Sequence, residues 1–170
     1  MEQPLDENTL NQLVLDHLPY AMRLAVRLTG DPHTAEEIVQ EALVRVARSW
    51  RSFRGQAHFR TWLFRIVINV FRDQLRHRPT VEQLPEDLCD RRAGDPLVQA
   101  ANRELGRLIA ARVSALPPRQ REVLVLTAYE SLAPRQVAAI LGISEANVHS
   151  TLHVARQRLQ KELAAYLAEK

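Results

Sequence analysis

The sequence predicts an all-α protein that consists of two small helical domains joined by an acidic, proline-containing linker. Leu, Ala, Arg, Gln and Glu, which favour helices, are abundant, whereas the 170 residues include only 5 glycines. Apolar residues recur at helical spacing on both sides of the stretch 79–96. That stretch contains three prolines, several acids and no sustained apolar period. We therefore predict a domain at 1–78, a linker at 79–96 and a second domain at 97–170.

Composition narrows the class of protein. No apolar run approaches the roughly 20 residues that span a bilayer, so membrane insertion is not expected. The first residues, MEQPLDENTLNQL, include no basic side chain and do not match a secretory or transit peptide. The single cysteine, Cys89, excludes an internal disulfide and leaves no zinc-ligand set. A cytoplasmic protein without metal or other cofactor is the expectation.

The net charge of +3 hides a strong segregation along the chain. Residues 1–41 carry 2 basic and 8 acidic side chains, whereas residues 42–78 carry 9 basic side chains and one acid. Residues 79–104 are acidic again, with 3 basic and 6 acidic side chains, and residues 105–170 return to 9 basic and 5 acidic. Two basic segments separated by acidic ones indicate two surfaces for a polyanion and acidic surfaces for a basic partner.

The first helices are predicted at 10–28 and 33–50. Pro19 interrupts the first pattern, which predicts either two short helices or one kinked helix. Gly30 suits a left-handed C-cap and Pro32 suits a first helical turn. The second helix has acids early and arginines late on its polar face, which fits either the helix dipole or a binding face.

A polar turn with Gly55 at its centre precedes a third helix, predicted at 58–77. One side of this helix is apolar and aromatic, and the other side carries arginines. Such a row of arginines is usually a solvated face. Because aromatic residues lie beside it and only Asp73 balances the charge, contact with nucleic acid is favoured here.

The C-terminal half predicts helices at 97–115, from Pro118 onward, and from Pro134 to about Leu141. Gly142 then fits a tight turn, and Ser144 is a suitable N-cap for a last helix. The core stripe of that helix is expected at Val148, Leu152, Ala155 and Leu159.

The last two helices predict a helix-turn-helix, in which the second helix enters the major groove of DNA. An ordinary helical hairpin is the alternative. The exposed face favours DNA, because it presents short hydrogen-bonding side chains and cations rather than a mixture rich in acids. His149 and His153 are spaced by four residues, but no third ligand at a matching spacing supports a metal site.

Three motifs in this order resemble the two-domain bacterial sigma factors of the extracytoplasmic-function class, over nearly the full length. The first, DPHTAEEIVQEALVRVARSW, is similar to the polymerase-binding and early core helices of that family. The second, FRTWLFRIVINVFRDQLRHR, is similar to its minus-ten-binding helix. The third, LPPRQREVLVLTAYESLAPRQVAAILGISEANVHSTLHVARQRLQKEL, is similar to its minus-35-binding domain.

The resemblance implies a transcription initiation factor with core RNA polymerase and promoter DNA as partners, and an anti-sigma factor as a further family expectation. The implied polymerase contacts are the clamp helices of the largest subunit and the flap. Residues implied to bind the clamp helices are Asp31, Glu36, Glu37, Gln40, Glu41 and Arg45. Residues implied to bind the minus-ten element are Arg54, Arg60, Trp62, Arg65, Asn69, Arg72 and Arg76. Residues implied to bind the minus-35 element are Ser144, Asn147, His149, Ser150, Thr151, Val154 and Arg158.

The resemblance also implies that the turn at 52–57 captures a flipped base, and that the linker enters the polymerase channel. The last helix departs from the family pattern, which places basic residues around a serine where this chain has His149, Thr151 and Val154. Fewer fixed cations predict weaker nonspecific phosphate contact. Base discrimination is then expected from Asn147, Ser150 and Thr151, with a methyl contact from Val154 to thymine.

Two other functions stay open from the sequence. One is a DNA-binding regulator that uses the helix-turn-helix without joining the polymerase, although a sensor domain would not need the arginine-rich helix at 58–77. The other is a helical interaction protein that binds polymerase without opening DNA. An enzyme is the least expected, because no paired carboxylates, nucleophile and base, metal cluster or phosphate loop is recognisable.

Overall fold

A computed structural model describes residues 6–53, 58–77 and 96–168, and all regular secondary structure in these ranges is helical. The α-helices are α1 (Glu7–Thr29), α2 (Pro32–Ser49), α3 (Phe59–His77), α4 (Pro96–Ser114), α5 (Pro118–Leu124), α6 (Pro134–Leu141) and α7 (Glu145–Ala168). The predicted all-α class is confirmed. None of the described helices is long and apolar enough to cross a membrane.

Helices α1, α2 and α3 pack on one another and form the N-terminal unit. Its core is built from one buried stripe of α1, one of α2 and a broad face of α3, with Leu24, Ile38, Leu63 and Val67 almost inaccessible to solvent. Helix α1 runs through Pro19 as a single helix, where the sequence left open two short ones. Buried residues on both sides of Pro19 hold the helix together despite the missing N–H donor.

The turn between α1 and α2 forms as its residues predict. Gly30 has a left-handed backbone, with φ of 73°, and its N–H donates to the carbonyl of Val26 at 2.8 Å. Pro32 occupies the first turn of α2. The short connection leads directly from α1 into α2, and the two helices pack against each other.

Helices α4 to α7 form the C-terminal unit, in which α7 packs against α4, α5 and α6. The predicted helix starts at Pro118 and Pro134 are confirmed. Helix α5 continues into a π-helical segment, Val125–Tyr129, that the sequence did not predict. The wide turn ends where the N–H of Glu130 donates to the carbonyl of Val125 at 3.1 Å, and Ser131 follows with a positive φ of 54°.

The two units are in direct contact. Helix α3 packs against α6, and α1 packs against α4 and the π-helical segment. The sequence predicted two domains and a linker but said nothing about how the domains meet. This contact determines which of the predicted functional residues are accessible.

Candidate nucleic-acid interface

The helix-turn-helix is formed by α6 and α7. Gly142 adopts the left-handed conformation, with φ of 66°, and ends α6. Ser144 caps α7, because its Oγ accepts a hydrogen bond of 3.1 Å from the N–H of Asn147. Val148, Leu152 and Ala155 are buried beneath the turn, and Leu159 is half-buried, as the apolar stripe predicts. These contacts fix the direction in which α7 leaves the unit.

The outer face of α7 is accessible. Thr151 is half-buried, and the other predicted residues are exposed: Ser144, Asn147, His149, Ser150, Val154 and Arg158. The only large apolar side chain in this set, Val154, is 47% exposed. The guanidinium of Arg158 lies 3.6 Å from the carboxylate of Glu162 on the same helix. The face therefore offers hydroxyl, amide, imidazole and methyl groups with few cations. Such a surface suits contacts to base edges better than tight binding to phosphates.

One part of the predicted minus-ten set lies beside an aromatic cluster. The ring of Trp62 lies 5.1 Å from that of Phe53 and 5.5 Å from that of Phe59, measured between ring centroids. Asn69 and Arg76, on the same helix, are exposed. Trp62 thus contributes both to packing and to a half-exposed aromatic surface. Arg54 of the predicted set lies outside the described residues, as do most of the predicted base-capturing turn and the linker.

Three other arginines of the predicted minus-ten set donate hydrogen bonds to the C-terminal unit. Arg72 donates two hydrogen bonds to the carboxylate of Glu122, at 2.8 Å from Nε and 2.6 Å from Nη2. Arg60 donates to Glu130 at 2.7 Å. The exposed guanidinium of Arg65 donates to the carbonyl of Ala139 at 2.6 Å. In this arrangement three of the predicted DNA-binding arginines are hydrogen-bonded to the C-terminal unit.

The predicted polymerase-binding residues lie on α2 and at its start. Glu36, Gln40 and Glu41 are exposed, and Glu37 is half-buried. Helix α2 packs against α1, α3 and the adjoining short helical turn Trp50–Ser52. Within the part of the chain that the structure describes, Glu36, Gln40 and Glu41 are thus accessible to a partner.

Two residues of the polymerase-binding set also support the fold. Asp31 caps α2, because its carboxylate accepts from the N–H of Thr34 at 2.7 Å. The hydrogen bond from the Thr34 hydroxyl, with help from that N–H, holds the pKa of Asp31 below its usual value. Arg45 joins α2 to α3 through a 2.8 Å hydrogen bond to Asp73, and this bond lowers the pKa of the Asp73 carboxyl.

Sequence reasoning missed Glu122 and Glu130, although each is buried and binds arginine. A signal was present for Glu122, since it directly precedes the buried residues Val123 and Leu124, and a lone acid among core residues needs a charged partner. No comparable signal marked Glu130. Its position follows from the π-helical segment, which shifts the register of the chain after α5.

Family models match both units. The model described as Sigma-70 region 2 matches residues 13–79, and the model described as Sigma-70, region 4 matches residues 106–159. The first covers α2, α3 and most of α1, and the second covers α5, α6, most of α7 and the C-terminal part of α4. The two matches lie in the same order as the motifs on which the resemblance rests.

Several characterised proteins are similar over most of this chain. The ECF RNA polymerase sigma factor SigE of Mycolicibacterium smegmatis is 36% identical over 163 residues, which is 94% of this chain and 63% of the relative. The RNA polymerase sigma-E factor of Streptomyces coelicolor is 37% identical over 149 residues, which is 85% of this chain and 80% of the relative. The chain thus spans less than two thirds of the length of SigE.

Two solved structures share the fold. A chain from the complex of the sigma factor RpoE with the anti-sigma factor NepR from Bartonella quintana superposes with a TM-score of 0.76 at 24% identity. That match covers 91% of this chain and 96% of the other. A chain from the complex of CnrH with the cytosolic domain of CnrY gives a TM-score of 0.68 at 32% identity, covering 94% and 90%.

Proposed function

The chain belongs to the sigma-70 family, in its extracytoplasmic-function class, and from this premise we propose that it binds core RNA polymerase and directs promoter recognition and strand opening. We further propose that residues 1–78 act as the region 2 domain and residues 97–170 as the region 4 domain. The observation that carries the proposal is the joint presence of an exposed helix-turn-helix surface and an arginine-aromatic helix in one chain. A regulator that binds only duplex DNA needs the first and not the second.

Helix α7 is proposed to enter the major groove at the minus-35 element. Its N-terminal turns present Asn147 and Ser150, whose polar groups match base edges, and Val154 presents a methyl-rich surface that suits thymine. Arg158 lies two turns further along, where a cation meets the phosphate backbone. The few cations on this face imply that the minus-35 contact contributes selectivity more than affinity.

Helix α3 is proposed to bind the separated non-template strand of the minus-ten element. Unpaired bases stack on aromatic rings, and Trp62 offers a half-exposed ring supported by Phe53 and Phe59. Asn69 and Arg76 extend this surface with an amide and a cation. Extraction of a base costs a few kcal/mol of stacking, which a ring surface beside cations offsets.

The acidic face of α2 is proposed to bind the clamp helices of the largest polymerase subunit, and the region 4 domain is proposed to contact the flap. Carboxylates of Glu36 and Glu41 are exposed there and suit a basic partner. The protein acts by binding rather than by catalysis, and it works in the cytoplasm, where the polymerase is. An anti-sigma factor is a further proposed partner, since RpoE, which shares this fold, was solved with the anti-sigma factor NepR.

The direct test is run-off transcription with core polymerase on a promoter mapped by sequencing transcripts after overexpression. We expect the protein to comigrate with core enzyme and to direct initiation. Asn69→Ala is expected to impair open-complex formation and to leave core binding intact, because Asn69 is an exposed residue of α3 and not of the proposed polymerase-binding surface on α2.

Trp62→Ala is expected to have the same effect on open complexes, but it also removes packing against Phe53 and Phe59. Its thermal unfolding must therefore be measured beside the transcription assay, and Asn69→Ala is the cleaner variant. Failure to comigrate with core enzyme together with absence of transcripts would leave the duplex-binding regulator as the better account. Loss of core binding in both variants would mean that Trp62 and Asn69 belong to the polymerase-binding surface and not to the strand-binding surface.

A further inference from the structure

Three side chains of α7 form a row beside the outermost face of this helix. Each of them directly follows a residue of the buried stripe, and each is exposed: His149, His153 and Arg156. Because successive residues of an α-helix are about 100° apart, the row lies roughly a quarter turn from the buried stripe. It therefore forms one edge of α7, between the packed side and the side that faces away from the protein.

This edge carries one fixed positive charge and two groups that gain a charge on protonation. Arg156 makes no ion pair with a residue that the structure describes, and neither imidazole has a hydrogen bond or ion pair within those residues. On the other side of α7, the guanidinium of Arg158 lies 3.6 Å from the carboxylate of Glu162. Histidine is the side chain whose charge ordinarily changes between about pH 5 and 8. The positive charge of the edge therefore depends on pH.

The other charged groups around α7 leave the two imidazoles unpaired. Glu145 is exposed one helical turn before His149, and its carboxylate offsets one positive charge of the edge. Helix α7 packs against α4, α5 and α6. The charged side chains described on those three helices are Glu104, Arg107, Arg112, Arg119, Arg121, Glu122 and Arg135. Neither of the two carboxylates in this set forms an ion pair with His149 or His153, and Glu122 is buried against Arg72.

An edge in this position lies against the phosphate backbone when α7 occupies a major groove. The outermost side chains of a helix in the groove contact base edges, while those on its flanks contact the phosphates of the adjoining strands. On α7 the outermost positions each follow a member of the edge by one residue, and they are Ser150, Val154 and Gln157. The edge spans about 10 Å along the helix axis, which is long enough to reach more than one phosphate of a strand.

We propose that His149, His153 and Arg156 form a phosphate-binding edge on α7, in which the two histidines bind the backbone of the minus-35 duplex as imidazolium cations. The inference rests on the proposed function, since it concerns how α7 holds the minus-35 element. It assigns a role to His153 and Arg156, which are absent from the predicted minus-35 set. Binding of duplex DNA is then linked to proton uptake, and it strengthens as pH falls through the range in which histidine is protonated.

The direction of the effect follows from the charge of the edge. With neutral histidines, the only positive charge is that of Arg156, and Glu145 balances it. With protonated histidines, two further cations face the backbone. Each cation that neutralises a phosphate releases counterions, which steepens the slope of log affinity against log salt by about 0.9. Because phosphate contacts carry no sequence information, the effect is expected on duplexes of any sequence.

The test is fluorescence anisotropy of the full-length protein with a labelled duplex that carries the mapped minus-35 element, beside a duplex of scrambled sequence. Each is measured at about pH 8 and at about pH 5.5, on either side of the histidine range. For the wild type, the salt slope is expected to steepen by up to about 1.8 at the lower pH. Affinity is expected to rise on the order of tenfold at about 0.1 M salt.

Two double variants separate charge from other effects of pH. His149→Gln/His153→Gln is expected to keep the same salt slope at both pH values, because glutamine gains no proton. His149→Lys/His153→Lys is expected to bind at the higher pH with the slope that the wild type shows at the lower pH, because its charges are fixed.

The matched control is His33→Gln/His58→Gln, which removes two exposed histidines of the N-terminal unit. It is expected to keep the pH dependence of the wild type. Affinity and slope of the wild type that do not change with pH would overturn the proposal. So would pH dependence that persists in His149→Gln/His153→Gln at wild-type helicity, or an equal loss of pH dependence in the control.

Proton NMR of the wild type keeps the proposal testable should the glutamine variant fail to fold. The imidazole signals of His149 and His153 are followed against pH, with and without the scrambled duplex. Bound phosphates stabilise a nearby cation, so the duplex is expected to raise both titration midpoints. Unchanged midpoints with duplex bound would overturn the proposal.

These outcomes are distinct from failure of the proposed function. A protein that directs transcription but binds duplex DNA independently of pH contradicts only the histidine edge. A protein that binds duplex DNA with the expected pH dependence but directs no transcription contradicts only the proposed sigma activity.

Discussion

At the scale of single residues, several side chains have both a proposed binding role and a structural role. Asp31 belongs to the proposed polymerase surface, yet its carboxylate caps α2. Arg45 belongs to the same surface, yet it joins α2 to α3 through Asp73. Trp62 belongs to the proposed strand-binding surface, yet its ring packs on two phenylalanines. A loss of activity on substitution of such a residue is informative only when stability is measured as well.

The cap at Asp31 gives a prediction about stability and pH. Asp31→Ala is expected to lower the free energy of unfolding by about 1 kcal/mol, whereas Asp31→Asn, which still caps, is expected to cost less. Because the pKa of Asp31 is lowered in the folded protein, its ionised carboxylate stabilises the fold at pH values above 3.8, the pKa of the unfolded chain. That contribution is lost as pH falls through the lower folded pKa.

Urea unfolding of wild type, Asp31→Ala and Asp31→Asn from neutral to acidic pH measures both effects. The advantage of wild type over Asp31→Asn should shrink as pH falls below 3.8. A constant difference across that range would mean that the hydrogen bonds from Thr34 do not stabilise the ionised carboxylate.

At the scale of elements, much of the fold was predictable from local chemistry. Prolines at the first turns of α2, α5 and α6 and the glycine after α1 mark boundaries that the structure confirms. The apolar spacing also predicted which face of α7 is buried. The π-helical segment was not predictable in this way, because nothing in the residues Val125–Tyr129 distinguishes a wide turn from the α-helix that precedes it.

The turn of the helix-turn-helix gives a prediction at this scale. Gly142 has a left-handed backbone and a Cβ there would meet nothing within 4 Å, so the cost of a side chain is conformational alone. Gly142→Ala is expected to lower the free energy of unfolding by roughly 1–2 kcal/mol. Gly142→Asn is the control and is expected to cost less, because asparagine tolerates this conformation better. Equal unfolding midpoints for Gly142→Ala and wild type would contradict the left-handed turn.

At the scale of the whole molecule, sequence and structure differ in what they can show. Helical spacing of apolar residues on both sides of the linker predicted two domains, and the charge pattern predicted the arginine-rich side of α3. The residues that these arginines contact depend on how the two units pack. Phe64 and Ile68 illustrate the difference: both lie on α3 among the arginines, and both are fully buried. Long-range contacts of this kind leave no local pattern, so the pairing of Arg72 with Glu122 across 50 residues was not predictable.

The pairing also has an energetic consequence for the contact between the two units. Breaking one such pair by removing a single partner is costly, about 3–5 kcal/mol for a buried pair, because the other charge is left uncompensated.

The central claim is that this chain directs core RNA polymerase to a promoter and that α3 binds the separated strand there. Permanganate footprinting of unpaired thymines on the mapped promoter, with core polymerase and either wild type or Asn69→Ala, tests it most directly. Asn69 is exposed on α3, so its substitution removes an amide group from the proposed strand-binding surface.

We predict reactive thymines in the minus-ten element with the wild type, and weaker reactivity with Asn69→Ala at equal binding to core enzyme. Unreactive thymines with wild type that is bound to core enzyme at the promoter would contradict the account.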